Sequence, residues 1–331
     1  CLAPDFAEAY ANLADIRARQ GSHVIAVSLQ RQAVELGPDL ARYRGQLAAY
    51  ESIVGSANVR STNTRSRLEV APDTAELDSA PENDEFHSMF NDVLSRIQEL
   101  DWSTIETELT QNGYVRLTSL LDAARCKSLR DMFDEDGLFS KTVVMNKTRF
   151  GRGVYRYFDS PNPQLVNCIR RAVYTQAVRI VNRWQTLLGR QEFFPDTWGE
   201  FRARCADAGQ TTSSPLLLRY EVGGFNALHQ DLRGEVFFPL QLVIILSPRR
   251  VSGGDPSGFR GGEFLFCDEP ERKKSDRRAI SVELGDAVLF CTRERLVQVA
   301  GVYGLKVVKH GMLRVTSGNR TAIGIPFHEF T

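Results

Sequence analysis

The stretch "FNALHQDLRGE", residues 225–235, places His229 and Asp231 two positions apart, directly after the strand-like run "PLLLRYEVGG". Side chains of an extended segment alternate between faces, so these two residues share one face and Gln230 takes the other. An imidazole and a carboxylate on one face are good metal-ligand types. The pair alone is weak evidence, because so short a match arises readily by chance. Support comes from "VVKHGMLRV", where His310 sits inside a second strand-like run, 79 residues beyond Asp231. His229, Asp231 and His310 are therefore the candidate metal ligands and the candidate catalytic centre.

Two histidines and one carboxylate form the facial ligand set of non-haem iron(II) sites, which leaves coordination positions open. Ten residues past His310, across the turn "TSGN", comes Arg320. The turn reads as a hairpin, which would set Arg320 at the start of a strand beside that of His310. A buried arginine there can grip one end of a dicarboxylate in a bidentate pair.

Strand patterns dominate after residue 214: "PLLLRYEVG", "FFPLQLVIILS", "GGEFLFCDE", "AISVELGDAVLFC", "LVQVAGVYGLKVVKHGMLRVTSG" and "RTAIGIPFHEF", separated by glycine, proline and charged turns. Residues 86–213 read as helical support, with "EFHSMFNDVLSRIQELDW" an amphipathic helix, Asp122 the N-cap of another, and "PQLVNCIRRAVYTQAVRIVNRWQTLLG" a long helix stopped at Gly189. "GYVRLTSLL" reads as a short strand and "FGRGVYRYF" as extended chain. Many short strands after a helical block predict a sandwich or barrel with helices packed outside.

Upstream, residues 1–52 read as helices. Tyr10, Leu13, Ala14, Ala26, Ala33 and Pro38 fall at the spacing of one tetratricopeptide repeat, a unit that needs about three or more copies to bury its apolar faces. An array extending upstream is thus expected, and the first residue is Cys1 rather than Met. A plain helical hairpin is the alternative. Residues 53–85 are rich in Ser, Thr, Asn, Pro and charge, and read as a flexible linker.

Lysine plus arginine equals aspartate plus glutamate, 41 each. A neutral chain argues against a general polyanion binder and makes a nucleic-acid partner the less favoured expectation, while leaving room for a local basic patch. No apolar run reaches the 18 residues of a membrane span. The six cysteines form no C-x-x-C pair and read as free thiols of a reducing, cytoplasmic compartment.

Taken together, "LLLRYEVGGFNALHQD", "GGEFLF", "GDAVLF" and "KHGMLRVTSGNRTAIGIPFH" resemble the 2-oxoglutarate- and Fe(II)-dependent oxygenases of the prolyl-4-hydroxylase-like type, over about residues 98–330. The lead-in "GYVRLTSLLDAARCKSLRDMF" resembles the entry to that catalytic domain. The resemblance implies a double-stranded β-helix, or jelly-roll, core. It implies Fe(II) held by His229, Asp231 and His310, and 2-oxoglutarate chelating the iron, with its far carboxylate on Arg320. It also implies O2 as oxidant, ascorbate as reductant, and a part for Tyr220 beside that carboxylate or the substrate. Asp231, a carboxylate where a halide would otherwise bind, favours hydroxylation over halogenation.

The substrate class that the resemblance suggests is an amino-acid side chain in a protein or peptide, which helical repeats could recruit. A small-molecule substrate, an alkylated nucleic-acid base and a non-catalytic jelly-roll scaffold are the alternatives. Several residues stay open. His328 in "GIPFHEF" reads as a structural histidine on a strand or a fourth site group. Arg314, at even spacing from His310, faces the pocket or forms an external salt bridge. Gly261 and Gly262 permit a tight entry to a strand. "ERKKSDRR" reads as a solvated hairpin turn rather than a nucleic-acid contact.

Overall fold

The structure, a computed structural model, describes residues 84–148, 151–231, 233–250, 258–269 and 277–331, together with helical positions between 11 and 52. The chain divides into two compact units, one of residues 1–80 with 182–193, the other of residues 81–181 with 194–331. In the first unit, residues 44–52 are helical, and Ala11, Ala14 and Tyr50 are buried. Tyr10, Leu13, Ala26, Ala33 and Pro38 lie outside the described residues, as do residues 53–83, so the repeat and the linker are not characterised.

The second unit is mainly antiparallel β-structure. Its strands are β1 (Tyr114–Leu117), β2 (Phe139–Thr148), β3 (Gly151–Phe158), β4 (Leu216–Tyr220), β5 (Phe225–His229), β6 (Leu240–Ile245) and β7 (Arg260–Gly261). They continue with β8 (Phe264–Asp268), β9 (Arg277–Ile280), β10 (Ala287–Cys291), β11 (Glu294–Val299), β12 (Val302–Met312), β13 (Val315–Ser317) and β14 (Arg320–Pro326). The main sheet runs β1-β10-β6-β14-β4-β3-β5-β12-β8-β9, with β11 joined to β12 and β2 to β3. β8 and β10 lie near opposite ends of that order, yet the rings of Phe264 and Phe290 are 4.9 Å apart. The sheet therefore curls back on itself, with its inward faces enclosing one interior, as the jelly-roll expectation requires. β1 to β3 come from residues before 214, and β3 occupies the turning point between β4 and β5.

Among the described residues five α-helices accompany the strands: α1 (Asp84–Gln98), α2 (Trp102–Asn112), α3 (Ala123–Asp131), α4 (Gln164–Leu187) and α5 (Trp198–Asp207). Asp122 caps α3 by accepting from the Arg125 amide at 2.8 Å, which satisfies one of the unpaired donors of the first turn. Along α4, Val166, Ile169, Val173, Ala177 and Val181 recur at helical spacing and are buried. Tyr174 on the same helix stacks on Phe201 and Phe238 at 5.3 and 4.9 Å. Each such ring, once buried, contributes roughly 1.5–3 kcal/mol. No helix among the described residues is long and apolar enough to cross a membrane.

Three readings of the sequence are corrected. "TSGN" is not a hairpin between paired strands: β13 pairs β7, and β14 pairs β4 and β6. Arg320 consequently lies four strands from β12 in the sheet order, not beside it. Local turn chemistry cannot reveal such a crossing, because the pairing partners are remote in sequence. The long run "LVQVAGVYGLKVVKHGMLRVTSG" divides into β11, β12 and β13, turning at Ala300 and Gly301, both at positive φ. His328 lies beyond the end of β14. The described cysteines, Cys126, Cys168, Cys205, Cys267 and Cys291, are buried free thiols.

Candidate metal and 2-oxoglutarate site

Strand pairing assembles the three ligand candidates. His229 ends β5, and its register partner on β12 is His310. Gln230 points the other way and donates to the carbonyls of Arg293 and Val308, both at 2.9 Å. That grip fixes the end of β5 and turns Asp231 inward. Nε2 of His229 lies 3.4 Å from Asp231 Oδ1, and Nε2 of His310 lies 3.4 Å from Oδ2. One ligand atom from each residue falls within 4.8 Å of the others.

Protonation fits a cation between them. Nδ1 of His229 is 2.8 Å from the Ala227 carbonyl, which can only accept, so Nδ1 carries the proton and Nε2 presents a lone pair. His310 is buried between Phe290 and Phe264, at ring distances of 4.6 and 6.2 Å, and its Nδ1 has no hydrogen-bond partner among the described residues. Burial and the neighbouring His229 push the His310 pKa down, toward the neutral, ligating form. Burial alone would raise the Asp231 pKa; the hydrogen bonds and charges of both histidines outweigh it and hold this carboxyl well below its usual range. The same carboxylate leaves the His229 pKa raised despite burial. Lone pairs of two imidazoles and a carboxylate thus converge on one point, an arrangement that a divalent cation relieves.

The donors open into a cavity of about 100 Å³. Tyr155, Tyr220, Phe264, Phe290 and Arg320 are among its lining residues. A water needs roughly 10–15 Å³ by the same measure, so the space holds several water-sized groups. Arg320 is 3% exposed, forms no ion pair among the described residues, and leaves its Nε without a partner there. A buried unpaired guanidinium is costly, and burial has pushed its pKa down to about 10. A ligand carboxylate entering the cavity would balance that charge.

Tyr220 is the register partner of Arg320, whose guanidinium carbon lies 5.9 Å from the tyrosine ring. The Tyr220 hydroxyl donates to that of Tyr155 at 3.1 Å. Sequence reasoning missed Tyr155; the inward alternation Tyr155, Tyr157 was its only signal. Two glycines shape this corner. A Cβ on Gly153 would come within 2.6 Å of the Tyr220 ring, and one on Gly262 within 2.7 Å of Arg320 Cδ. Gly262 also has φ +64, so it does more than admit a strand.

Arg314 and His328 do not line the cavity. Arg314 is exposed and donates to the Gly223 carbonyl at 2.6 Å, with no salt bridge among the described residues. His328 is buried near Phe237 and Phe330, at 4.9 and 5.6 Å between rings. Residues 270–276, most of "ERKKSDRR", lie outside the described residues, while the flanking β8 and β9 pair antiparallel.

Comparison with known proteins places the chain in a family. A family model described as "Oxygenase, catalysing oxidative methylation of damaged DNA" matches residues 153–330, just over half of the chain. Two uncharacterized proteins of Mycobacterium tuberculosis, Rv2227 and MT2286, are 37% identical over 173 residues, 52% of this chain and 71% of each relative. Similar solved structures include a Pseudomonas putida prolyl-4-hydroxylase (13% identity, TM-score 0.39, 70% of this chain and 100% of that one). Another is a 2OG-Fe(II) oxygenase-family oxidoreductase of Burkholderia pseudomallei (14%, 0.42, 70% and 94%). A third is a Trichoplax adhaerens prolyl hydroxylase bound to a hypoxia-inducible-factor peptide (13%, 0.43, 71% and 90%). The chain belongs to the oxygenase family that the model describes.

Proposed function

We propose that this chain is an Fe(II)- and 2-oxoglutarate-dependent dioxygenase that hydroxylates an alkyl carbon carried by a nucleic-acid base. The observation that carries the reaction is one open cavity holding three converging ligand atoms and an unpaired buried arginine. His229, Asp231 and His310 would hold the metal, and Arg320 the far carboxylate of 2-oxoglutarate, with Tyr220 alongside. When bound, iron with 2-oxoglutarate and O2 supplies the oxidation of a C–H bond, the cosubstrate leaving as succinate and CO2. The protein's own work is to orient the cosubstrate, keep His310 neutral, and restrict water through Phe264, Phe290 and Tyr155.

The family description supports the nucleic-acid substrate class, since it names damaged DNA. The narrow cavity suits it too: a methyl on an unstacked base can enter while the rest of the polymer stays outside. Hydroxylation of an N-methyl group gives N–CH2OH, which breaks its C–N bond to release formaldehyde and restore N–H.

A second reading is hydroxylation of a peptide side chain. β2 pairs only with β3 among the described residues, and Val144 on it is 58% exposed. A free edge of this kind can accept an extended peptide as an added strand.

The deciding assay follows succinate from 2-oxoglutarate with Fe(II) and ascorbate, offering N-methylated single-stranded oligonucleotides and, separately, peptide pools. Oligonucleotide-stimulated succinate with matching formaldehyde is the expected result. Stimulation by peptides alone would transfer the assignment to the second reading. No turnover with any substrate would leave a non-catalytic scaffold.

A further inference from the structure

Two guanidinium groups lie on either side of Gly223, in the turn that precedes β5, and neither arginine is among the cavity's lining residues. A Cβ placed on Gly223 would lie 3.2 Å from Arg152 Nη1 and 3.8 Å from Arg314 Nη1. Both arginines are exposed, and among the described residues neither forms a salt bridge. Several other arginines of this unit are paired, Arg156 with Asp136, Arg219 with Asp134, Arg249 with Glu263, and Arg295 with Asp268. Two like charges side by side repel unless an anion joins them. The chain as a whole is neutral, so this is a local excess of positive charge.

Arg314 is held in place. Arg314 donates to the Gly223 carbonyl at 2.6 Å and lies 4.8 Å over the Phe225 ring. The turn is tied down by Gly223 N to Val315 O and Val315 N to Gly224 O, each 2.8 Å. Arg152 is the register partner of Phe225, the first residue of β5, and His229 is the last. Four residues of strand separate the two, about 13 Å. On the other flank, Arg233 is exposed and lies over the rings of Tyr157 and Phe330, at 5.6 and 5.2 Å. Tyr157 lines the cavity. Cationic groups thus lie on aromatic faces on both sides of β5, Arg314 on Phe225 and Arg233 on Tyr157 and Phe330, the combination that holds single-stranded nucleic acid.

We infer that Arg152 and Arg314 form a phosphate clamp that seats the backbone of a single-stranded nucleic acid across the mouth of the cavity. The inference rests on the nucleic-acid reading above and deepens it. Guanidinium forks bind phosphate oxygens in bidentate fashion, and such contacts set register without reading sequence.

The test is fluorescence anisotropy of a labelled single-stranded DNA oligonucleotide over a salt series, with wild type, Arg152→Gln, Arg152→Lys and Arg314→Gln. Arg152 has no salt-bridge partner among the described residues, so its replacement breaks no ion pair there. Arg219→Gln, at a half-buried arginine paired with Asp134, is the control, and inorganic phosphate is the competitor. The clamp predicts about ten-fold weaker binding for Arg152→Gln, with the slope of log affinity on log salt falling by about 0.7 for each phosphate that is no longer neutralised. Arg152→Lys should recover part of the affinity, and millimolar phosphate should compete poorly. Wild-type binding that Arg152→Gln and Arg314→Gln leave unchanged overturns the clamp and leaves the nucleic-acid reading standing. Equal loss in Arg219→Gln reduces the effect to general surface charge and also overturns it. No wild-type binding to DNA or RNA removes the substrate class and the clamp together.

Discussion

His229 and His310 are register partners across the antiparallel pair β5 and β12, with ring centroids 4.3 Å apart. They stand 81 residues apart in the sequence, and a single backbone pairing sets their spacing. Asp231 joins them because the Gln230 side chain is anchored on the opposite face. The two imidazoles are therefore placed by the sheet and the carboxylate by the anchored residue just past β5, which keeps the donors ready before the ion arrives.

This rigidity makes the ligand set testable by stability as well as activity. Fe(II) should raise the melting temperature of the wild type, because a ligand that binds only the folded state stabilises it. His229→Ala, Asp231→Asn and His310→Ala should each abolish that rise. Their loss of affinity should exceed the roughly 10- to 100-fold that removal of an outer-shell partner causes. A variant that keeps full metal-dependent stabilisation would remove its residue from the ligand set. Thermal shift with and without Fe(II) under anaerobic conditions reads this directly.

Arg320 should govern affinity for 2-oxoglutarate and not for iron. Breaking a buried charge pair typically costs about 2–5 kcal/mol, so Arg320→Gln should raise KM for 2-oxoglutarate about 30-fold or more. Fe(II) binding should stay as it is. Gly262→Ala should act in the same direction, because its Cβ would press on Arg320 Cδ. Gly153→Ala should displace Tyr220 and give a smaller rise. Titrating each variant with 2-oxoglutarate at saturating iron separates these effects, and a KM unchanged in Arg320→Gln would place the dicarboxylate elsewhere.

The site was more legible than the sheet that carries it. His310 stands out as a polar residue within an apolar strand pattern, where burial without a purpose is costly, while His229 and Asp231 stand out by their spacing after such a strand and Arg320 by its place ten residues past His310. The neighbour of Arg320 was not legible. A turn such as "TSGN" looks alike whether the chain folds back on itself or crosses to another part of the sheet, and only long-range register decides. Gly153 and Gly262 were hidden for a related reason: a Cβ there meets Tyr220 or Arg320, residues far away in the sequence. The arginine excess at Gly223 was masked by averaging, since the whole chain sums to zero.

Glu329 should be important for stability without touching the cavity. Arg170 is fully buried on α4 and donates to Glu329 Oε1 at 2.8 Å, while Glu329 Oε2 accepts from the Ser214 amide at 3.2 Å. Glu329→Gln leaves that guanidinium uncompensated, a change that costs about 3–5 kcal/mol. Replacing both partners by apolar residues should cost less than either single change. Urea unfolding of the two single variants and the double variant checks the order.

His328 should make the fold sensitive to mild acid. Burial, followed by the nearby charge of Arg170, lowers its pKa from 6.5 to about 4, and neither ring nitrogen has a partner among the described residues. The folded state thus refuses a proton that the unfolded chain accepts below pH 6.5. The stability this group contributes is complete above that pH and is lost progressively as pH falls toward 4. Between pH 7.5 and 5 the loss should be about 2 kcal/mol, at 1.36 kcal/mol per pH unit. Urea midpoints measured with a chelator present, so that metal release makes no contribution, should show that drop in the wild type. His328→Phe, which keeps an apolar ring among Phe237 and Phe330, should flatten it. An equally steep acid dependence in His328→Phe would assign the effect to other groups, with the paired carboxylates Asp268 and Asp231 next in line, both held below their usual range.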